Sequence, residues 1–203
     1  MPGVSHGVRT LGRVLLSMTA LLLLAGCGGS DEGSAGEQVT TTSSSGAAAL
    51  TTPDRAGDWT RVTTAAAVDN AKAYLMRAEE EARPGATPLF AEYERDDGAT
   101  LAFLGFDVDP ESEYGEELAS SPDMVVDVQL ADAGIEDRQA MDAGALGGAL
   151  ACGTLPPEYG VAGLTCAWAD DTTTAQVTLV VPELDYDEAA HLTSEFREAV
   201  TDR

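Results

Sequence analysis

Apolar positions recur at helical spacing through residues 63–83, where Val68, Ala71, Leu75, Ala78 and Ala82 fall on one stripe before Pro84-Gly85 ends the run. Two apolar runs, 89–95 and 100–108, then flank Asp96-Asp97-Gly98, and Asp-Gly between apolar runs predicts a β-hairpin. Residues 110–120 read as a short acidic helix closed by Ser121-Pro122. From 124 to 130, Met124, Val126, Val128 and Leu130 alternate with Asp127 and Gln129, the period of a half-buried strand. Further strands are expected at 146–153, 163–169 and 175–181. A last helix opens at Asp185, with Glu188 three residues on as in a capping box, and would bury Ala189, Leu192, Phe196, Ala199 and Val200. The expected class is α+β: a mainly antiparallel sheet of about six strands, helices packed on one face, and one disulfide.

Upstream the pattern changes twice. Residues 14–25 form a leucine-rich apolar run of about a dozen residues, preceded by Arg9 and Arg13 and by no acid. A dozen apolar residues is short of the roughly 20 that a bilayer span needs, so the run reads as an export signal. It ends in Leu24-Ala25-Gly26-Cys27, which resembles the lipobox of bacterial lipoproteins. The resemblance implies cleavage before Cys27 and a diacylglyceryl thioether on its sulfur, with palmitate-type chains. Two acyl chains hold a protein at a membrane where one does so marginally. Gly, Ser and Thr then dominate to about residue 57, too polar to offset the entropy of ordering, which predicts a disordered tether with a reach of roughly 30 Å. The division is therefore 1–26 signal peptide, 27–57 lipidated cysteine and tether, and 58–203 globular domain.

Charge narrows the partners. The 203 residues carry 35 Asp+Glu against 11 Lys+Arg, a net charge of −24, and Lys72 is the sole lysine. Nucleic acid and anionic lipid headgroups both need basic footprints, so neither fits as a partner. The expected partners are the membrane, through the anchor on Cys27, and a protein of the cell envelope. The expected place is the outer, extracytoplasmic face of the cell membrane.

With Cys27 set aside, Cys152 and Cys166 remain, in a compartment where such a pair is joined. A redox pair would sit as Cys-x-x-Cys, and zinc would need two more ligands where the mature chain adds only His191. A structural disulfide closing about 15 residues stabilises by roughly 3 kcal/mol. The segment Gly144-Ala145-Leu146-Gly147-Gly148-Ala149-Leu150-Ala151-Cys152, followed by Cys166-Ala167-Trp168-Ala169-Asp170, resembles a group of actinobacterial exported proteins. The resemblance covers about 120–203 and implies fold and location, not an activity. Asp171-Thr172-Thr173-Thr174 stands where many members carry Thr-x-Gly. Physically the motif reads as core construction. Trp168 shares a strand face with Cys166, and Gly147 and Gly148 permit close backbone approach. The competing reading makes Trp168 a platform for a ligand.

Catalytic constellations are missing from the pattern. His191 lies in the last helix beside Asp187, Ser194 and Glu195, and no Gly-x-Ser-x-Gly or phosphate-cradling glycine loop occurs. No cofactor motif is found. Asp107 to Glu113 is rich in oxygen ligands, but an EF-hand alignment puts Ser112 at the required glycine and Leu118 at the bidentate glutamate. The reading is a non-catalytic binding or accessory module. The alternatives are a carboxylate-based extracytoplasmic hydrolase and a divalent-cation-binding surface protein.

Overall fold

The computed structural model describes residues 48–157 and 160–202, all within one compact unit, Ser43–Arg203. The export run, Cys27 and tether residues 28–47 lie outside the described residues. In chain order the strands and helices are β1 (Ala49–Leu50), β2 (Arg55–Ala56), β3 (Trp59–Arg61), α1 (Ala65–Glu81), β4 (Ala86–Glu94), β5 (Thr100–Val108), α2 (Glu113–Ser120) and α3 (Pro122–Asp132). They continue with β6 (Gln139–Met141), a 3-10 turn (Gly144–Leu146), β7 (Ala149–Thr154), β8 (Leu164–Ala169), β9 (Thr173–Val180), α4 (Tyr186–Val200) and β10 (Thr201–Asp202).

The class is α+β, as expected, with an antiparallel sheet in the order β2-β3-β4-β5-β9-β8-β7-β6 and a separate β1-β10 pair. The main sheet has eight strands rather than about six. The added ones, β2, β3 and β6, are two or three residues long, too short to show a period. The hairpin forms where Asp-Gly placed it. Gly98 turns at φ +84°, its N–H donates to Arg95 O, and Asp97 Oδ1 accepts from Ala99 N at 3.0 Å. Helix α4 starts as read, with Asp185 Oδ1 accepting from Glu188 N at 2.9 Å.

Two expectations are corrected. Residues 124–130 are helical, the body of α3. Pro122 occupies the helix's first turn with Asp123 behind it, so Ser121-Pro122 starts one helix as well as closing another. The alternation was accidental: Val125, Val126 and Leu130 are buried, while Met124 and Val128 face solvent. Helices also cover both faces of the sheet. Every residue of β8 is buried, with Cys166 and Trp168 in the cluster beneath α4 and Ala167 and Ala169 in the cluster beneath α2 and α3. A strand with large side chains on one face and alanines on the other is built for two covers.

Residues 48–57, assigned by composition to the tether, are part of the fold. Leu50 and Ala56 lie in the main core, and Leu50 N donates to Asp107 Oδ1 at 2.7 Å. That core is organised around Phe103, which stacks on Trp168 at 6.0 Å and meets the edge of Phe196 at 5.3 Å. Cys152 and Cys166 face each other across β7 and β8 and form the disulfide, fully buried.

A buttressed groove at the far end of strand β9

Strand β9 runs between two unlike ends of the domain. At its start, Thr172 Oγ1 donates to Ala48 O, the point where the chain enters the described fold. At its far end Val181 enters the wall of a groove. Eight residues at about 3.3 Å each separate the two ends by roughly 25 Å.

The end of β9 near Ala48 collects Gly147, Gly148, Trp168 and Asp170. Asp170 accepts from Thr172 N at 3.0 Å, Thr173 N at 2.8 Å, Thr173 Oγ1 at 2.9 Å and Arg197 Nη2 at 2.7 Å. Burial pushes its carboxyl up, but the bonds from Thr172, Arg197 and Thr173 outweigh that, and the net shift is downward. Arg197, only 2% exposed, also donates through Nη1 to Gly147 O at 2.9 Å. Gly148 sits at φ +80°, and a Cβ there would meet Ala169 O at 2.1 Å, so no larger residue fits. Trp168 is fully buried against Phe103. The motif builds the core and its turn, and it does not present Trp168 to a ligand.

At the other end, the segment after β7 and the segment 181–185 before α4 enclose an open groove of about 800 Å³. Leu155, Val161, Leu164, Val181 and Leu184 give it an aliphatic trough, and Glu183 and Asp185 stand on its rim. Val161 is 47% exposed. Glu183 is held at φ +57°, the one non-glycine residue in the left-handed region among those described. Such strain costs about 1–3 kcal/mol and persists where the surroundings enforce it.

Behind the trough, Asp137 Oδ2 accepts from Tyr186 OH and from Thr154 Oγ1, both at 2.6 Å, and Oδ1 accepts from Thr154 N at 2.9 Å. The bonds from Thr154 and Tyr186 hold the Asp137 carboxyl down at about 2. Burial, then the bond to Asp137, pushes the Tyr186 phenol up. A permanently ionised acid beside a phenol reluctant to ionise makes a poor proton relay and a good buttress, tying α4 and β7 to the segment before β6.

The remaining candidates fall elsewhere. Asp107, whose carboxyl burial raises, lies beside the start of β9 and accepts from Leu50 N. In the acidic stretch that follows, Asp109 Oδ1 accepts from Glu111 N and Ser112 Oγ from Gly115 N, so these oxygens build the start of α2. No group of three or more His, Cys, Asp or Glu converges as a metal site among the described residues. His191 is on the exposed side of α4, with Nε2 3.5 Å from Glu195 Oε1. Among the described residues no helix is long and apolar enough to cross a membrane.

The groove went unread in the sequence. Its walls are two segments some 20 residues apart, brought together only by the pairing of β8 with β9. Pro156-Pro157, Gly160 and Pro182 mark both segments as turns but do not say that they face each other. No protein-family model matches the chain, nor does any curated protein or solved structure.

Proposed function

We propose that this chain is a lipid-anchored binding module on the outer face of the cell membrane, holding its partner in the groove between the segment after β7 and the segment before α4. The anchor is the diacylglycerol on Cys27, for which the short apolar run and the small residues ahead of the cysteine speak. The observation that carries the reading is the position of the groove at the end of β9 opposite Ala48. The chain enters the domain at Ala48, at the other end of β9 from the groove, so the entering chain does not occupy the groove. Binding is the favoured reading because the groove is lined mainly by aliphatic side chains, while Asp137 and Tyr186 are bonded to each other and Asp137 to Thr154.

Two labelling experiments in the native host test this. Fatty-acid labelling is expected to mark the wild-type chain and to be lost in Cys27→Ala; label retained in the variant overturns the anchor. A photo-cross-linking residue at Val161 is expected to capture one dominant envelope protein, and the same residue at Thr172 is expected not to. Equal capture at both positions, or capture at Thr172 alone, removes the groove from the proposal.

A further inference from the structure

The groove's chemistry narrows its occupant, an inference that rests on the binding reading above. We infer that it receives a cationic peptide segment carrying aliphatic side chains, contributed by a protein of the envelope.

Charge is the first argument. The described residues lining the groove include Glu183 and Asp185 and no lysine, arginine or histidine. Elsewhere among the described residues, Arg55 alone of the Lys and Arg side chains is outside an ion pair: Arg61 sits with Asp54, Lys72 with Asp69, Arg77 with Glu81, Arg83 with Glu117, Arg95 with Asp97, Arg138 with Asp127 and Arg197 with Asp170. An anionic occupant would meet a field set by a net charge of −24 without a counter-ion, whereas a cationic one is drawn to it.

The trough supplies the second argument. Val161 is exposed and Val181 and Leu184 are half-buried, over a floor of buried Leu155 and Leu164, and covering the three solvated side chains rewards Leu, Ile or Val rather than a polar chain. The third is shape. Small-molecule sites bury most of their ligand, and a groove open along one side cannot do so, while an extended segment needs only alternate side chains covered. The left-handed Glu183 fits this arrangement. Its left-handed backbone sets where this acidic residue stands on the rim.

The test uses the mature chain from Gly28, which retains every described element, exported behind a signal lacking the cysteine. Three dansyl-labelled hexapeptides with blocked ends serve as probes in fluorescence anisotropy at about 0.15 M salt: alternating Leu-Lys, alternating Leu-Glu and alternating Ser-Lys. Leu-Lys is expected to bind at least about tenfold more tightly than the other two, since it alone uses both trough and rim. Leu184→Ser should weaken it about tenfold through the trough. The double variant Glu183→Gln/Asp185→Ser should weaken it about fivefold, with the loss shrinking as salt rises. Serine keeps the helix cap that Asp185 supplies, so this variant is expected to melt with the wild type.

Equal binding of Leu-Glu, or Leu-Lys binding that ignores both variants, overturns the inference. The second result would also follow from diffuse attraction to acidic surface, and Glu79→Gln/Glu80→Gln on the exposed side of α1 would then weaken binding just as well. If no peptide binds while Val161 still captures a partner in cells, the cationic-peptide inference fails and the binding reading survives. If neither occurs, both fail.

Discussion

Asp170 and Arg197 show how a single contact holds several elements at once. The guanidinium ties α4 to the turn between β8 and β9 through Asp170 and to the turn before β7 through the carbonyls of Gly147 and Ala143. A buried charge stripped of its partner is strongly destabilising, because its desolvation is no longer offset. Asp170→Ala is therefore expected to lose about 3–5 kcal/mol in urea unfolding. Thr193, one helical turn before Arg197, offers the opposite case. It is fully buried, and its Oγ1 finds no protein partner. Thr193→Val keeps the branching and removes an unsatisfied hydroxyl, so its stability should equal or exceed wild type by up to about 1 kcal/mol. A loss comparable to that of Asp170→Ala would mean that the hydroxyl is bonded in solution.

Elements were legible where a local chemical signal marked them. Asp-Gly at the hairpin and Asp185 with Glu188 at the start of α4 each name a backbone conformation through the residues that adopt it. Helix α3 was not legible, because with apolar residues at 124, 125, 126, 128 and 130 both period 2 and period 3.6 can be drawn, and only the tertiary cover selects Val125 over Val128. The start of the domain was hidden for a related reason. Residues 48–57 have the composition of a tether, yet buried Leu50 and Ala56 and the hydrogen bonds of Leu50, Thr51, Thr52 and Pro53 dock them. Helical cover on both faces was foreshadowed by the alanines of β8, whose significance depends on knowing what lies beyond them. A chain begun at Asp58, the boundary composition suggests, discards Leu50 and Ala56 from the core and the amide bonded to Asp107. Losing a buried leucine alone costs about 2–5 kcal/mol. Its melting temperature should therefore fall by about 10 °C relative to the chain from Gly28. Coincident melting curves would show that the strap contributes nothing.

For the whole molecule the governing quantity is the surplus of acids. The described ion pairs consume nearly all the cations, and most of them are at the surface, where a pair is worth about 0–1 kcal/mol. What remains is carboxylate facing carboxylate around a small domain, which repels itself in the folded state more than in the expanded chain. Salt acts on both terms, and their sizes decide the sign. Screening weakens a few attractive pairs that contribute little, and it weakens a net repulsion to which every surplus charge contributes. Raising sodium chloride from about 0.01 to 0.5 M is therefore expected to raise the melting temperature by several degrees, since the Debye length falls from about 30 Å to well under 10 Å over that range. Calcium chloride at matched ionic strength should reproduce the rise without exceeding it, because the oxygens of Asp109 and Ser112 are already engaged in starting α2. If millimolar calcium raised the melting temperature far beyond its ionic-strength equivalent, tight binding to the folded state would be the only linkage able to produce it. That result would move the divalent-cation reading, until then an alternative, ahead of the groove.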